Sequence, residues 1–273
     1  MSAAPAEPLV AWAEIPATRW WRVLPSRLLT FCVIELYRIK HDQTEILTRA
    51  IQPALWLLIF GETFTRLRAI PTGSIPYLDY MAPGIIAQSG LFVAIFYGIQ
   101  IIWERDAGIL AKLLATPTPR VALVAGKAFA AGLRSAVQAM IVFVLSALLQ
   151  IGIDWNPLHL LGAVVVVVVG SAFFSLLSMT IAGVVLSRER LMGIGQAMTM
   201  PLFFASNALY PVHLMPVWLQ WLSVGNPLSY EVDALRGLLL GTPANLPLDA
   251  VVLGATLVVG VLASSRLLDR LAR

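Results

Sequence analysis

Six apolar stretches, each about as long as a bilayer is thick or longer, dominate this 273-residue chain. They run over roughly Ile46 to Phe64, Met81 to Trp103, Val121 to Ile151, Leu158 to Leu186, Leu191 to Tyr210 and Leu248 to Leu268. A helix needs ~20 apolar residues to cross the hydrocarbon core. In lipid every backbone N–H and C=O must be satisfied within the protein. The stretches therefore read as transmembrane helices, and the fold class as an all-α polytopic membrane protein with six spans. Composition agrees: 59% of residues are hydrophobic and only 12% charged, where soluble domains carry about a quarter charged residues. The third and fourth stretches exceed one crossing, so they tilt or extend into the cytoplasm.

Lysine and arginine orient the bundle. The N-terminal region carries Arg19, Arg22, Arg27, Arg38 and Lys40, the loop after span two Arg105, Lys112 and Arg120, the loop after span four Arg188 and Arg190, and the C-terminal end Arg266, Arg270 and Arg273. The loop holding Asp154 has no basic residue, and the segment 211–247 has only Arg236. Basic residues collect on the cytoplasmic side, which puts both termini inside. Arg66 and Arg68, in the first outer loop, are the one discord.

Three segments between the spans have patterns of their own. Residues 1–24, rich in Ala and Pro, lack a signal-peptide core. They read as a flexible cytoplasmic tail with Trp12, Trp20 and Trp21 near the interface, followed by a single transmembrane domain over 25–273. Residues 25–45 mix Leu28, Leu29, Phe31, Leu36 and Ile39 with Arg27, Glu35, Arg38 and Lys40, the pattern of an amphipathic helix lying at the inner interface. Residues 104–117 form a charged insert with apolar residues at Ile109, Leu110, Leu113 and Leu114 on one helical side, stopped by Pro117. Such a helix lies in the membrane surface or offers its face to a soluble partner. Residues 211–247 are too apolar for an ordinary outer loop, yet Pro211, Pro216 and Pro227 break them. A hairpin over about 212–238, dipping partway into the membrane, fits that pattern, with Trp218 and Trp221 at interfacial depth.

Much chemistry is missing. Gly126-Lys127 has neither the first glycine nor the Ser/Thr of a phosphate-binding loop, so the chain is not expected to bind ATP or to be an enzyme. One cysteine, Cys32, excludes an internal disulfide, and His41, His159 and His213 lack metal-ligand spacing. The span interiors offer mainly amides: Gln88, Gln100, Gln138, Gln196 and Asn207. They either line a cargo path or join helices by hydrogen bonds. Arg134, about 14 residues into span three, snorkels to the inner face or pairs with an acid. Few buried carboxylates argue against an ion channel or proton-coupled carrier.

Three motifs in order resemble the ABC-2 type permease family, the membrane subunits of bacterial ABC exporters such as daunorubicin-resistance and nodulation-factor export permeases. The first is Glu104-Arg105-x-x-Gly108-x-Leu110-x-x-Leu113-Leu114-x-Thr116-Pro117; the second is Asn207-x-Leu209-x-Pro211 followed by Met215-Pro216-x-Trp218-Leu219; the third is Asn226-Pro227-Leu228-Ser229-Tyr230-x-x-Asp233-Ala234-Leu235-Arg236. Ile109 and Ala111 depart from the family, which often has Thr and Glu there. The resemblance implies two permeases, this chain and a second copy or homologue, with two copies of a separate ATPase that binds ATP and Mg. It makes 104–117 the coupling helix, with Gly108 admitting close backbone approach and Ile109, Leu110, Leu113 and Leu114 supplying the docking face. Asn207, Pro211, Trp218, Trp221, Asn226, Pro227, Tyr230 and Arg236 would form the outer gate or hairpin, and Gln88, Gln100, Gln138 and Gln196 a cargo path.

The implied function is export of a hydrophobic or amphiphilic compound across a bacterial inner membrane. Export of a lipid-linked glycan is the neighbouring alternative, and a non-transporting membrane scaffold the alternative of another class. Nucleic acid is not an expected partner.

Overall fold

The computed structural model describes residues 20–41, 43–67, 70–116 and 118–271, and every regular element among them is helical. In chain order these are α1 (Trp20–His41), α2 (Gln43–Leu55), α3 (Glu62–Leu67), α4 (Tyr77–Asp106), α5 (Ile109–Leu114), α6 (Arg120–Leu148), α7 (Pro157–Val185), α8 (Arg188–Phe204), α9 (Val217–Val224), α10 (Pro227–Leu240) and α11 (Leu246–Leu271). Among the described residues α4, α6, α7 and α11 are long and apolar enough to cross a membrane. They coincide within a few residues with the second, third, fourth and sixth apolar stretches.

The other two stretches take a different form. Residues 46–64 are α2 and α3 joined through a π-helical segment, Trp56–Gly61. Pro53, just before it, removes a backbone donor from the helix, a recognised cause of irregular winding. The fifth stretch was expected to reach Tyr210, but α8 has only 17 residues and ends at Phe204, three residues beyond Pro201. Helix length alone therefore identifies four crossings, with two shorter or irregular helical runs beside them.

Helix α4 lies at the centre and packs against α6, α7, α8 and α10, while α7 also packs against α6 and α11. Small residues allow the approach. A Cβ on Gly98 of α4 would lie 2.6 Å from the Ser175 carbonyl of α7, and one on Gly132 of α6 would lie 2.6 Å from the Val168 carbonyl. Apolar side chains gain little by leaving lipid, so close backbone contact and interhelical hydrogen bonds carry the association. Ser178 donates to the Ile95 carbonyl at 2.9 Å, and Ser264 of α11 to the Leu176 carbonyl at 2.8 Å.

The stretch expected as an interfacial helix is helical, as α1, which already begins at Trp20 and so overlaps the tail expected over 1–24. Trp12, with the rest of 1–19, lies outside the described residues. Helix α1 packs along α6, with the Phe31 ring against Gly126. Its Glu35 is only 1% exposed. Arg134 of α6 donates to Glu35 Oε1 at 2.6 Å and the Tyr97 hydroxyl of α4 to Oε2 at 2.9 Å. Arg134 has thus found an acid, and that acid sits on the amphipathic helix. Leu29, Leu36 and Tyr37 remain exposed on α1.

Candidate functional site

The chain reverses between α4 and α6 at the end of the bundle that also carries Arg188. Helix α4 continues to Asp106, so Glu104 and Arg105 belong to its last turn and not to the insert helix. Gly108 then takes φ +71, the left-handed conformation that only glycine adopts without strain. Among the described residues no other group lies within 4 Å of where its Cβ would be, so the backbone conformation is what calls for glycine here. Helix α5 holds six residues, and Pro117 lies outside the described residues.

The single continuous helix expected over 104–117 is thus two pieces at an elbow. The expected uniform apolar face is also divided. Leu110 is 0% exposed and belongs to the bundle core, Leu113 and Leu114 rest partly on that core, and Ile109 is 46% exposed beside exposed Ala111 and Lys112. A two-turn helix cannot sustain itself in water, so part of its apolar surface must rest on the bundle that carries it.

Charged groups clasp the elbow. Glu104 is ion-paired with Lys127 of α6, tying α4 to α6. Arg105 donates to the Leu186 carbonyl at the end of α7 at 3.0 Å and to Asp106 at 2.8 Å. Arg188, opening α8, lies 4.2 Å over the Trp103 ring.

At the opposite end the second and third motifs meet in space. Arg236 of α10 is buried; it donates to the carbonyls of Asn207 at 2.6 Å, Ala208 at 3.1 Å and Tyr80 at 3.3 Å, and its guanidinium sits 3.6 Å over the Tyr80 ring. The Asn207 amide donates to Asp233 at 2.6 Å. Gly84 makes room, since a Cβ there would lie 2.5 Å from the Ala208 carbonyl. Asn226 caps α10 by accepting from the Leu228 N–H at 3.1 Å, and its amide donates to the Leu202 carbonyl at 2.6 Å; Pro227 opens the helix.

The Tyr230 hydroxyl returns to the Val224 carbonyl at 2.8 Å. Pro211 precedes a short 3-10 turn, Val212–Leu214. Trp218 and Trp221 on α9 are exposed, Trp221 by 74%. In the loop before α7, Asp154 accepts from the Asn156 backbone N–H at 2.9 Å and lies 2.6 Å from the His159 ring, contacts that hold its carboxyl below the usual range.

Two of the four predicted cargo-path amides come together. Gln88 of α4 and Gln138 of α6 line one cavity of about 290 Å³ with Arg49 and Gln52 of α2 and with Phe92 and Phe96 of α4. Gln100 is half-buried outside it, and Gln196 is exposed on α8. The contribution of α2 was not expected from the sequence, where Arg49 counted only as a flank of span one. Glu231 was also missed: it is 0% exposed on α10 and packed on Gly170 of α7. The hairpin expected over 212–238 gave no sign of which of its faces would be buried. Among the described residues no group of three His, Cys, Asp or Glu stands together as metal ligands would.

The family model for ABC-2 type transporters matches residues 27–240. The putative transport permease ycf38 of Cyanophora paradoxa is 28% identical over 205 residues, 73% of this chain and 69% of the relative. The daunorubicin resistance ABC transporter permease protein DrrB1 of Streptomyces coeruleorubidus is 26% identical over 217 residues, 80% and 76% of the two chains. Nodulation protein J of Rhizobium leguminosarum bv. viciae is 28% identical over 234 residues, 85% and 89%. With a matching model over most of its length and four long apolar helices, the chain belongs to the ABC-2 type transporter family as a membrane-embedded transport permease.

Proposed function

We propose that this permease is the membrane subunit of an ATP-driven exporter in a bacterial plasma membrane, with both termini cytoplasmic. Two copies of a separate ABC ATPase would bind ATP and Mg, and this chain would pair with a second copy or a homologue. A hydrophobic or amphiphilic cargo would move outward between the two permeases. The basic residues around the α4–α5–α6 elbow support its cytoplasmic placement. A relative named for daunorubicin resistance supports the cargo class.

The observation that carries the reading is the divided face of α5. Leu110 anchors the helix in the core while Ile109, Ala111 and Lys112 face outward. A partner pressing on the outward side would push on α4 through the elbow and, through Glu104–Lys127, on α6. Helices α9 and α10 would form the outer hairpin. In support, α10 runs antiparallel to α7 and sets Glu231 against Gly170, 13 residues into α7, about 20 Å along it at 1.5 Å per residue.

The test is Ile109→Asp in the full chain co-expressed with its ATPase. Burying an isoleucine is worth about 1.5–3 kcal/mol, so the charge should weaken association by about tenfold or more and remove transport. Insertion and thermal stability should stay at the native level. Native association and transport in this variant would overturn the coupling role of α5.

A further inference from the structure

Two glutamates are buried to the same degree and treated differently. Glu35 of α1 is 1% exposed and meets Arg134 and the Tyr97 hydroxyl. Glu231 of α10 is 0% exposed, and neither of its carboxyl oxygens has a hydrogen-bond partner among the described residues. Buried polar groups are nearly always paired, and one that is not calls for a reason.

Its surroundings supply no counter-charge. Helix α10 packs against α4, α7, α9 and α11. On α7 the carboxyl lies directly on Gly170, where any Cβ would overlap it. The only titratable residue of α7 is His159, near its start and beside Asp154. Helix α9 has none. Helix α11 brings Asp249 near its start, with its other charged residues from Arg266 onward. At this end α4 brings Tyr77, Asp79 and Tyr80; Asp79 accepts from the Gly152 N–H at 3.1 Å, and Tyr80 lies under Arg236. On α10 itself Tyr230 donates to the Val224 carbonyl and Asp233 accepts from Asn207. Arg236, the one cation of α10, stands about 140° round the helix from Glu231 at 3.6 residues per turn, and its donors go to backbone carbonyls.

An ionised carboxyl in that position is a buried charge with nothing to balance it, which costs far more than a neutral acid does; such a group takes up a proton instead. The balance reverses once α10 leaves Gly170 and water reaches the carboxyl, because a hydrated glutamate ionises near about pH 4.3. We propose that Glu231 is a proton-operated latch between α7 and α10: protonated, it lets α10 pack on Gly170, and its O–H proton passes to water when the two helices part. Leu238 against Gly162 closes the same pair of helices about two turns away, an apolar contact indifferent to pH, so Glu231 is the part of the seam that senses it. The closed contact holds the proton more tightly than the open one. Closing is therefore most favourable below the usual carboxylate range and weakens as the pH rises through the value at which the packed acid ionises. That this opening serves export rests on the exporter reading; the latch is a property of this chain alone.

The experiment uses the full chain in phosphatidylcholine nanodiscs without an ATPase, from acid to alkaline pH. Infrared difference spectra between the native and Glu231→Gln chains should show the carbonyl stretch of a protonated carboxylic acid, fading as the pH rises. In Cys32→Ser chains carrying spin labels at exposed Val165 of α7 and Val224 beside α10, the long-distance population should grow over the same pH range. One proton leaves per opening, so the opening constant rises by up to about tenfold per pH unit. Glu231→Gln and Glu231→Leu, which have no proton to lose, should stay closed at every pH. Asp249→Asn should retain the native response.

Three results overturn the latch: no acid signal at any pH, an acid signal that persists at every pH with an unchanging distance, or an open population that grows equally in the native and Glu231→Gln chains. A pH response confined to chains with Glu231, combined with native ATPase association in Ile109→Asp, retains the latch and removes the coupling reading; the reverse pair of results does the opposite.

Discussion

Arg105 and Arg236 both hold a chain reversal in place, at opposite ends of the bundle, and they do it by different physics. Arg105 is only partly buried; it shares its guanidinium between the Leu186 carbonyl and the half-exposed Asp106 beside it. Arg236 is buried, and its donors go to three backbone carbonyls of two other segments while its face covers Tyr80. The first arrangement exchanges readily with water, and exposed charge pairs contribute little net stability. The second cannot be broken without stranding carbonyls in a dry interior. Arg105 therefore adds little to hold the elbow end, while Arg236 holds α4, α10 and the residue 207–208 turn in one geometry.

That contrast is broken most directly at Arg236. Arg236→Leu leaves up to three carbonyls without a donor at about 1–3 kcal/mol each, so thermal unfolding in detergent should show a loss of about 3–6 kcal/mol. The matching change Arg105→Leu should cost under about 1 kcal/mol. Equal losses would erase the distinction between the two ends.

Within α5 the same contrast runs across one helix. Leu110→Ala removes a fully buried side chain and should destabilise by about 2–3 kcal/mol, the lower part of the range for buried leucines, because a surface helix can settle. Ile109→Ala should change stability by no more than about 0.5 kcal/mol, measured in the same unfolding assay. If the two variants unfold together, the divided face is wrong.

A smaller effect than at Arg236 or Leu110 is expected at the elbow itself. Gly108→Ala forces a Cβ into the left-handed region at φ +71, at about 1–2 kcal/mol. Nothing among the described residues crowds that position, so the cost is conformational, and Gly108→Asn should recover part of it. A large loss with Ala that Asn does not recover would mean that an external backbone packs on the glycine.

The helical class, four long apolar helices and α1 were legible because each rests on local pattern: apolar length and amphipathic spacing. The elbow between α4 and α5 was not, since the spacing over 104–117 fits one helix and only the backbone shows Gly108 at φ +71. The π-helical join at Trp56–Gly61 was not legible, since apolar length is indifferent to winding. The end of α8 was obscured in the same way, because Ala205 to Tyr210 continue an apolar stretch that the chain folds into a turn. Leu110 misled for a different reason. Spacing places Ile109, Leu110, Leu113 and Leu114 on one side of a helix, but a side subtends a wide arc, and only the neighbouring bundle decides which edge of it is covered.

Composition and spacing by themselves determined that this chain belongs in a membrane, that it is helical, and where its four long apolar helices lie. Those properties follow from the solvent each residue can tolerate, which is read one segment at a time. Only the tertiary structure decided that Arg134 belongs to Glu35, that Arg236 holds the Asn207 turn, and that Gln88 and Gln138 share a cavity with Arg49 while Gln100 and Gln196 do not. Each of these joins residues 29 to 99 positions apart, brought together by close helix contacts at residues such as Gly84, Gly98 and Gly132. Where two helices cross is set by the summed packing of both surfaces, and no single segment carries that information.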